Sequence, residues 1–335
     1  MKYTIATLAS HSCLQILKGA KDEGFATLAI STPKRVSFYK RFSFIDQVLE
    51  IPSFTDLYKI EDKLKKQNII IIPHGSFVAY LGADYDKKLT LPHFGNKKVL
   101  IWEGDRLKQR LWLEKAGLRL PKLYKKPEDI NKIVIVKLHG AKGGSGYFVA
   151  KNKADFDKKI GSLKAKEYII QEYIVGVPVY LQFFYSKLTD TVELLGVDRR
   201  YESNVDAVGR LPHFYQEDLE IEPSYTVAGN FPIVIRESLL PKAYQMAESV
   251  VRLSQKLIPT VGLYGPFCLE TIITTDLEFY CIEISCRIVA GTNVFRQGSV
   301  YSDYHFPNES MTTGRRVARE IKEAIELGRL KEILN

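Results

Sequence analysis

The sequence predicts an α/β protein, with a parallel-sheet domain at the N-terminus and a larger unit of antiparallel strands after it. Three observations carry that expectation. Apolar runs alternate with helical periodicities over residues 3–72, a glycine-rich stretch spans residues 140–146 between two strand-like runs, and the runs FCLETII and LEFYCIEIS flank Thr274-Thr275-Asp276. Strands alternating with helices argue for parallel pairing, whereas strands joined by short turns argue for hairpins.

In chain order, residues 3–9 read as a buried strand, and Leu14, Ile16, Leu17 and Ala20 then recur at helical spacing. Residues 25–30, 48–51 and 68–72 are the next strands, with a helix over 57–66. Ligands of open parallel sheets collect where strands lead into helices. Two such ends repeat one composition, His11-Ser12 and His74-Gly75-Ser76. A hydroxyl and free amides there can seat an anion such as a nucleotide monophosphate. Ser12 and Ser76 could equally be plain helix caps. His93 reads as structural.

A second unit begins near Val99. Residues 105–116 form an amphipathic helix with Leu107, Leu111 and Trp112 expected inward. The run from Lys132 to Val149 is a strand, a glycine-rich loop and a returning strand. No Gly-Lys-Ser/Thr follows the loop, so it is not a strand-to-helix P-loop. It reads instead as a flap whose amides, at Gly143, Gly144 and Ser145, can fold over a triphosphate. Lys137, within apolar residues just before the loop, would supply a point charge to the phosphates. After a helix over 156–163, the strand 168–170 runs into Gln171-Glu172-Tyr173-Ile174, a segment able to offer backbone groups to an adenine edge.

In the hairpin around Thr274-Thr275-Asp276, an even loop with Thr274 facing Leu277 sets Glu270 opposite Cys281. Glu270 and Glu283 then share a face as diagonal neighbours roughly 7–8 Å apart. A three-residue loop would put them on opposite faces. Carboxylates inside apolar strands call for a cation, and Arg287 follows four residues after Glu283. Two carboxylates can hold Mg²⁺ while leaving coordination positions for substrate phosphates. These residues could also be the solvent face of a half-exposed hairpin. The closing helix, 315–327, carries Val317, Ile321, Ala324 and Ile325 on one face, which should pack on the body.

The 335 residues carry a formal charge of +9 and are 45% hydrophobic, enough for a sizeable core in two or three units. The excess of Lys and Arg is spread along the chain with no basic stripe, which disfavours nucleic acid and suits small phosphates. Four cysteines without a CxxC pair suggest reduced core thiols in a cytoplasmic protein. No apolar stretch approaches membrane-spanning length, so no membrane partner is expected.

Lys137, the 140–146 loop, the 171–174 hinge and the Glu270…Glu283-x-Ser-x-Arg287 hairpin together resemble the ATP-grasp superfamily of carboxylate–amine ligases. Further segments resemble one family within it, the archaeal formate-dependent formaminoimidazole-carboxamide ribonucleotide synthetases. These include residues 11–17, 73–77, 198–202, 229–232 and 236–238, and the stretch Glu283 to Asn293. The resemblance implies ATP-driven formylation of aminoimidazole-carboxamide ribonucleotide (AICAR) in purine biosynthesis, through formyl phosphate. It implies Glu270 and Glu283 as ligands of Mg²⁺ or Mn²⁺, and Arg287 beside the transferring phosphoryl group. His11, Ser12, Ser76 and Asn230 would hold the ribonucleotide. Ser285 stands where many superfamily members carry asparagine. Val177 to Tyr180 supply no acid for the ATP ribose, for which Glu202 is the substitute; Glu202 could also be an ion-pair residue beside Arg199 and Arg200. The implied division is a substrate domain over 1–98 and an ATP-grasp module over 99–335, with a flap over 125–180 and a core over 181–335. A homo-oligomer is expected. The rival readings are another ATP-grasp ligase and a non-catalytic nucleotide-binding paralogue.

Overall fold

The computed structural model of the chain describes residues 2–142, 145–161, 167–218, 224–259 and 261–335. Four strands, β1 (Thr4–Leu8), β2 (Ala26–Ser31), β3 (Gln47–Glu50) and β4 (Ile69–Ile71), form a parallel sheet in the order β3-β2-β1-β4. Parallel neighbours need a crossover, and the helices Cys13–Asp22, Pro33–Tyr39 and Leu57–Lys65 provide it. Ile5, Ala6, Leu8 and residues 69–71 are buried, as expected of parallel strands covered on both faces. His11 and His74 follow the carboxyl ends of β1 and of its neighbour β4, the edge strand of the sheet.

The second sheet is antiparallel, in the order β5-β8-β6-β7 (Leu123–Tyr124, Tyr168–Glu172, Val134–Lys142 and Ser145–Ala150). Its small separate core contains Tyr124, Val134, Val136, Phe156 and Ile170. The helix expected at 156–163 runs Lys153–Gly161, and Leu163 lies outside the described residues.

The third sheet is also antiparallel, in the order β11-β10-β9-β12-β13. Its strands are β9 (Val177–Ser186), β10 (Thr191–Glu202), β11 (Val227–Pro232), β12 (Gly265–Ile273) and β13 (Phe279–Ser285). One face rests on the helix Leu240–Leu257, with the Phe183 ring 5.8 Å from that of Tyr244. The helix Arg106–Lys115 packs there too, and its buried Trp112 donates Nε1–H to Val250 O at 3.0 Å. Leu107 and Leu111, expected inward, are 71% and 43% exposed. Gln109 and Leu113 are buried beside Trp112 in their place, and Leu107 lines the open cleft described below.

The closing helix, Thr313–Glu326, buries Val317, Ile321 and Ala324 and returns to the N-terminal helix Cys13–Asp22. The two backbones nearly touch. A Cβ on Gly19 would sit 2.2 Å from Arg315 N, and one on Gly314 2.3 Å from Gln15 O, so only glycine fits. This contact fixes the first sheet against the third. No described helix is long and apolar enough to cross a membrane.

Candidate functional site

The hairpin of β12 and β13 does not close as expected. Thr274 N donates to Glu278 O at 3.0 Å, leaving a three-residue loop with Leu277 at φ 60°. That odd loop slips the register by one residue, and a bulge between Glu270 and Thr271 slips it by one more. The two offsets cancel in parity, so Glu270 and Glu283 share a face after all. They are direct partners, not diagonal neighbours, and Thr271 instead of Glu270 is paired with Cys281.

The register carries this row across the sheet. Glu270 is paired with Tyr180, Tyr180 with Asp198, and Arg200, two residues on from Asp198, with Asn230. Directly paired residues and those two apart lie on one face. One face therefore presents Glu283, Glu270, Tyr180, Asp198, Arg200 and Asn230. Arg200 is the cation the carboxylates demanded: its guanidinium lies 2.8 Å from Glu270 and stacks 4.0 Å over the Tyr180 ring. Ser285 Oγ donates to the other Glu270 oxygen at 3.2 Å. The Glu283 carboxylate has no hydrogen bond or ion pair to a described residue and reaches water at the cleft floor. Crowding by protein and the facing Glu270 charge push its pKa up to about 7.

A cleft of about 320 Å³ separates the second and third sheets, lined by both glutamates, Lys137, residues 171–174, Arg200 and Glu202 among others. Burial pulls the Lys137 ammonium below its usual range, opposed by the Glu283 charge. Burial likewise raises Glu202, opposed by Arg200. Arg199 pairs with Asp206 and Arg200 with Glu270, so the ion-pair role considered for Glu202 goes to other acids. The Glu172 carboxylate accepts from Lys122 N and Gln171 is buried, while Tyr173 O–H meets Tyr225 O–H at 3.3 Å. Gly143 and Gly144 lie outside the described residues, and Ser145 begins β7.

His11, Ser12 and Ser76 gather at the carboxyl edge of the first sheet. Neither serine caps its helix with its side chain. Ser12 Oγ instead meets His11 Nδ1 at 2.9 Å, and the His11 ring stacks on His74 at 5.6 Å. His74 donates Nε2–H to Leu8 O and accepts at Nδ1 from Ser76 N, which fixes a neutral imidazole. Burial and then the Arg287 charge bring His11 down to about 4. Arg287 itself lies 2.8 Å from Glu103, on the helix Lys97–Gly104, and is not among the lining of the main cleft.

Two facing carboxylates, one already held by an arginine and a serine and one without a hydrogen-bond or ion-pair partner among the described residues, suit a hard divalent ion that completes its shell with water and phosphate oxygens. Among the described residues no group of three or more His, Cys, Asp or Glu could hold a metal. Two carboxylate donors with room for water and phosphate oxygens fit Mg²⁺.

Two family models match the chain, a protein of unknown function (DUF1246) over residues 5–124 and a domain of unknown function (DUF1297) over residues 150–335. A relative from Pyrococcus horikoshii, named 5-formaminoimidazole-4-carboxamide-1-(beta)-D-ribofuranosyl 5'-monophosphate synthetase, is 52% identical over 340 residues. The match covers 98% of this chain and 99% of the relative. The chain belongs to this synthetase family. The crystal structure of an IMP biosynthesis protein, PurP, from Thermococcus kodakaraensis superposes with a TM-score of 0.79 at 32% identity, over 99% of this chain and 100% of that one. N5-carboxyaminoimidazole ribonucleotide synthetase (purK), solved as an ADP complex, shares the fold at a TM-score of 0.67 and 16% identity, covering 95% of this chain and 76% of its own. The synthetase family thus has the ATP-grasp fold that the sequence motifs resemble.

Arg200, Asp198 and Glu103, which contact Glu270, Asn230 and Arg287, are not among the residues that the sequence singles out. Asp198, Arg200 and Glu202 alternate along a strand, and that period-two placement of charge was the available signal for the first two. Glu103 lies on a helix distant in sequence from its partner Arg287, and no local pattern marks it.

Proposed function

We propose that this chain joins formate to the amine of AICAR, using ATP and releasing formamido nucleotide, ADP and phosphate. The observation that carries the reading is the facing pair Glu270 and Glu283 at the floor of the cleft, in a chain related end to end to synthetases named for that product. Formate is a poor electrophile, and an amine on an electron-poor ring is a poor nucleophile. Attack of a formate oxygen on the γ-phosphorus breaks the bond to ADP and gives formyl phosphate. The amine nitrogen then attacks the formyl carbon, phosphate leaves, and the nitrogen gives up a proton. Such chemistry asks the protein mainly for position and charge.

In this reading Glu270 and Glu283 hold Mg²⁺, or Mn²⁺, which when bound neutralises phosphate charge. Lys137 and the 140–146 loop hold phosphate oxygens, residues 171–174 border the adenine, and Glu202 takes the ribose. His11, Ser12, Ser76 and Asn230 seat the ribonucleotide. Arg287, tied to Glu103 and facing His11, faces the phosphoryl group from the nucleotide side. The substrate domain is then residues 1–98 and the ATP-grasp module residues 99–335, in a protein that assembles as a homo-oligomer.

Purified protein given Mg-ATP, formate and AICAR, with each omitted in turn, tests the proposal by mass spectrometry. A formylated nucleotide requiring all three, with one ADP per product, is expected. ADP formed only with a different amine or carboxylate would make the chain another ATP-grasp ligase.

A further inference from the structure

Asp198 is a buried carboxylate that the proposed reaction leaves unused. It is 1% exposed, and both its oxygens are taken by amides: Gln182 Nε2–H donates to Oδ1 at 2.5 Å and Asn230 Nδ2–H to Oδ2 at 2.8 Å. The short 3-10 helix opposite, Ala290–Val294, is shaped around it, since a Cβ on Gly291 would lie 2.3 Å from Oδ2. An ionised carboxylate only accepts hydrogen bonds. It therefore dictates which end of the Asn230 amide faces it. The NH₂ points inward, and Oδ1 accepts nothing from the described residues. Asn230 is partly exposed and pairs in register with Arg200, which lines the cleft.

We infer that Asp198 is a positioning residue that holds the Asn230 carbonyl toward the nucleotide, where it accepts from the carboxamide N–H and selects against the corresponding carboxylate nucleotide. This rests on the proposed function. Carboxamide and carboxylate share a shape, and Arg200 nearby would attract the carboxylate. A fixed carbonyl repels it and rewards the amide donor, and a site built to pair a substrate N–H rejects analogues lacking it.

The test measures kcat/KM for AICAR and for 5-aminoimidazole-4-carboxylate ribonucleotide, with Mg-ATP and formate, together with the KM for ATP. The wild type should prefer the carboxamide by at least about 100-fold. In Asp198→Ala the Asn230 amide is free to turn, and the preference should fall at least about tenfold with the KM for ATP unchanged. Asp198→Asn should keep the preference within about threefold, because Gln182 can turn its amide and leave Asn230 an acceptor. Asn230→Ala removes the carbonyl without touching Asp198 and should match Asp198→Ala, which covers the case in which the latter fails to fold. An undiminished preference in both alanine variants overturns the inference, as does a parallel rise in both KM values or a collapse in Asp198→Asn. A wild type active on other amines but not on AICAR defeats the functional reading, and this inference with it.

Discussion

Two of the clusters in this molecule that set glutamates against arginine are resolved in opposite ways. Behind the third sheet, Arg316 forks onto Glu193 at 2.7 and 2.9 Å and reaches Glu320 at 3.0 Å. Ser186 Oγ and Leu188 N donate to Glu320, and the Arg316 guanidinium lies 4.4 Å over the Phe184 ring. Every oxygen there is matched and all three charged groups are buried. At the cleft floor, Arg200 satisfies Glu270 alone, and Glu283 faces that carboxylate with no described partner. A closed cluster holds the fold. An open one keeps unspent charge for a ligand, as functional sites do when local consistency is given up.

That contrast predicts opposite failures. The largest effect belongs to Arg316→Met, which strands two buried carboxylates and should lower unfolding free energy by about 3–5 kcal/mol in urea titrations. Turnover per folded molecule should not change. Glu283→Gln is the mirror image: turnover should fall by about 10²–10³ with stability unchanged or higher, since the carboxylate had nothing to lose. If Glu283→Gln unfolds the chain, or Arg316→Met kills a folded enzyme, the division between closed and open clusters is wrong.

How far each cluster was legible follows from what sets it. The first sheet could be read because its strands are apolar runs punctuated by helices, and the gathering of His11, Ser12 and Ser76 at one edge because His and Ser recur after β1 and β4. The facing of Glu270 and Glu283 could be read only in parity. Neither the loop at Thr274 nor the bulge beside Glu270 has a sequence signal strong enough to count, and two errors of one residue happened to cancel. The burial of Leu107 was misjudged because a helix stripe that borders a cleft is as apolar as one that borders a core. The Arg316 cluster was invisible as a cluster, since Glu193 lies 123 residues from Arg316 in sequence and only Glu320 is a local neighbour.

Asp198 sharpens the comparison, because it is closed in hydrogen bonding yet still uncomfortable. Burial lifts its pKa to about 6 from 3.8, against the lowering effect of Gln182 and Asn230. A carboxyl raised in the native state contributes stability that is full below the unfolded pKa and lost as pH rises through the folded one. Between pH 4 and pH 7 the wild type should therefore lose about 2–3 kcal/mol relative to Asp198→Asn, whose amide does not titrate. Unfolding free energies of both proteins at the two pH values check this, and a constant difference would mean that two amide donors suffice to keep the buried charge at ease.

The smallest effects come from two serines that do the same thing in the two settings. Ser186 and Ser285 each donate a hydroxyl hydrogen to a buried glutamate. Ser186→Ala leaves Glu320 still bound by Arg316 and should cost about 1–2 kcal/mol of stability, with kcat untouched. Ser285→Ala loosens Glu270, whose remaining partner Arg200 must share it with any bound cation. Removing a hydrogen bond behind a metal-ligating carboxylate typically weakens metal binding about 10–100-fold, and the lower end suits a bond as long as 3.2 Å. Mn²⁺ titration in the presence of ADP reads that loss directly, without turnover. Equal changes in metal affinity from both alanine substitutions would mean that the open and closed clusters are not separate devices, because only Ser285 touches a carboxylate assigned to the metal.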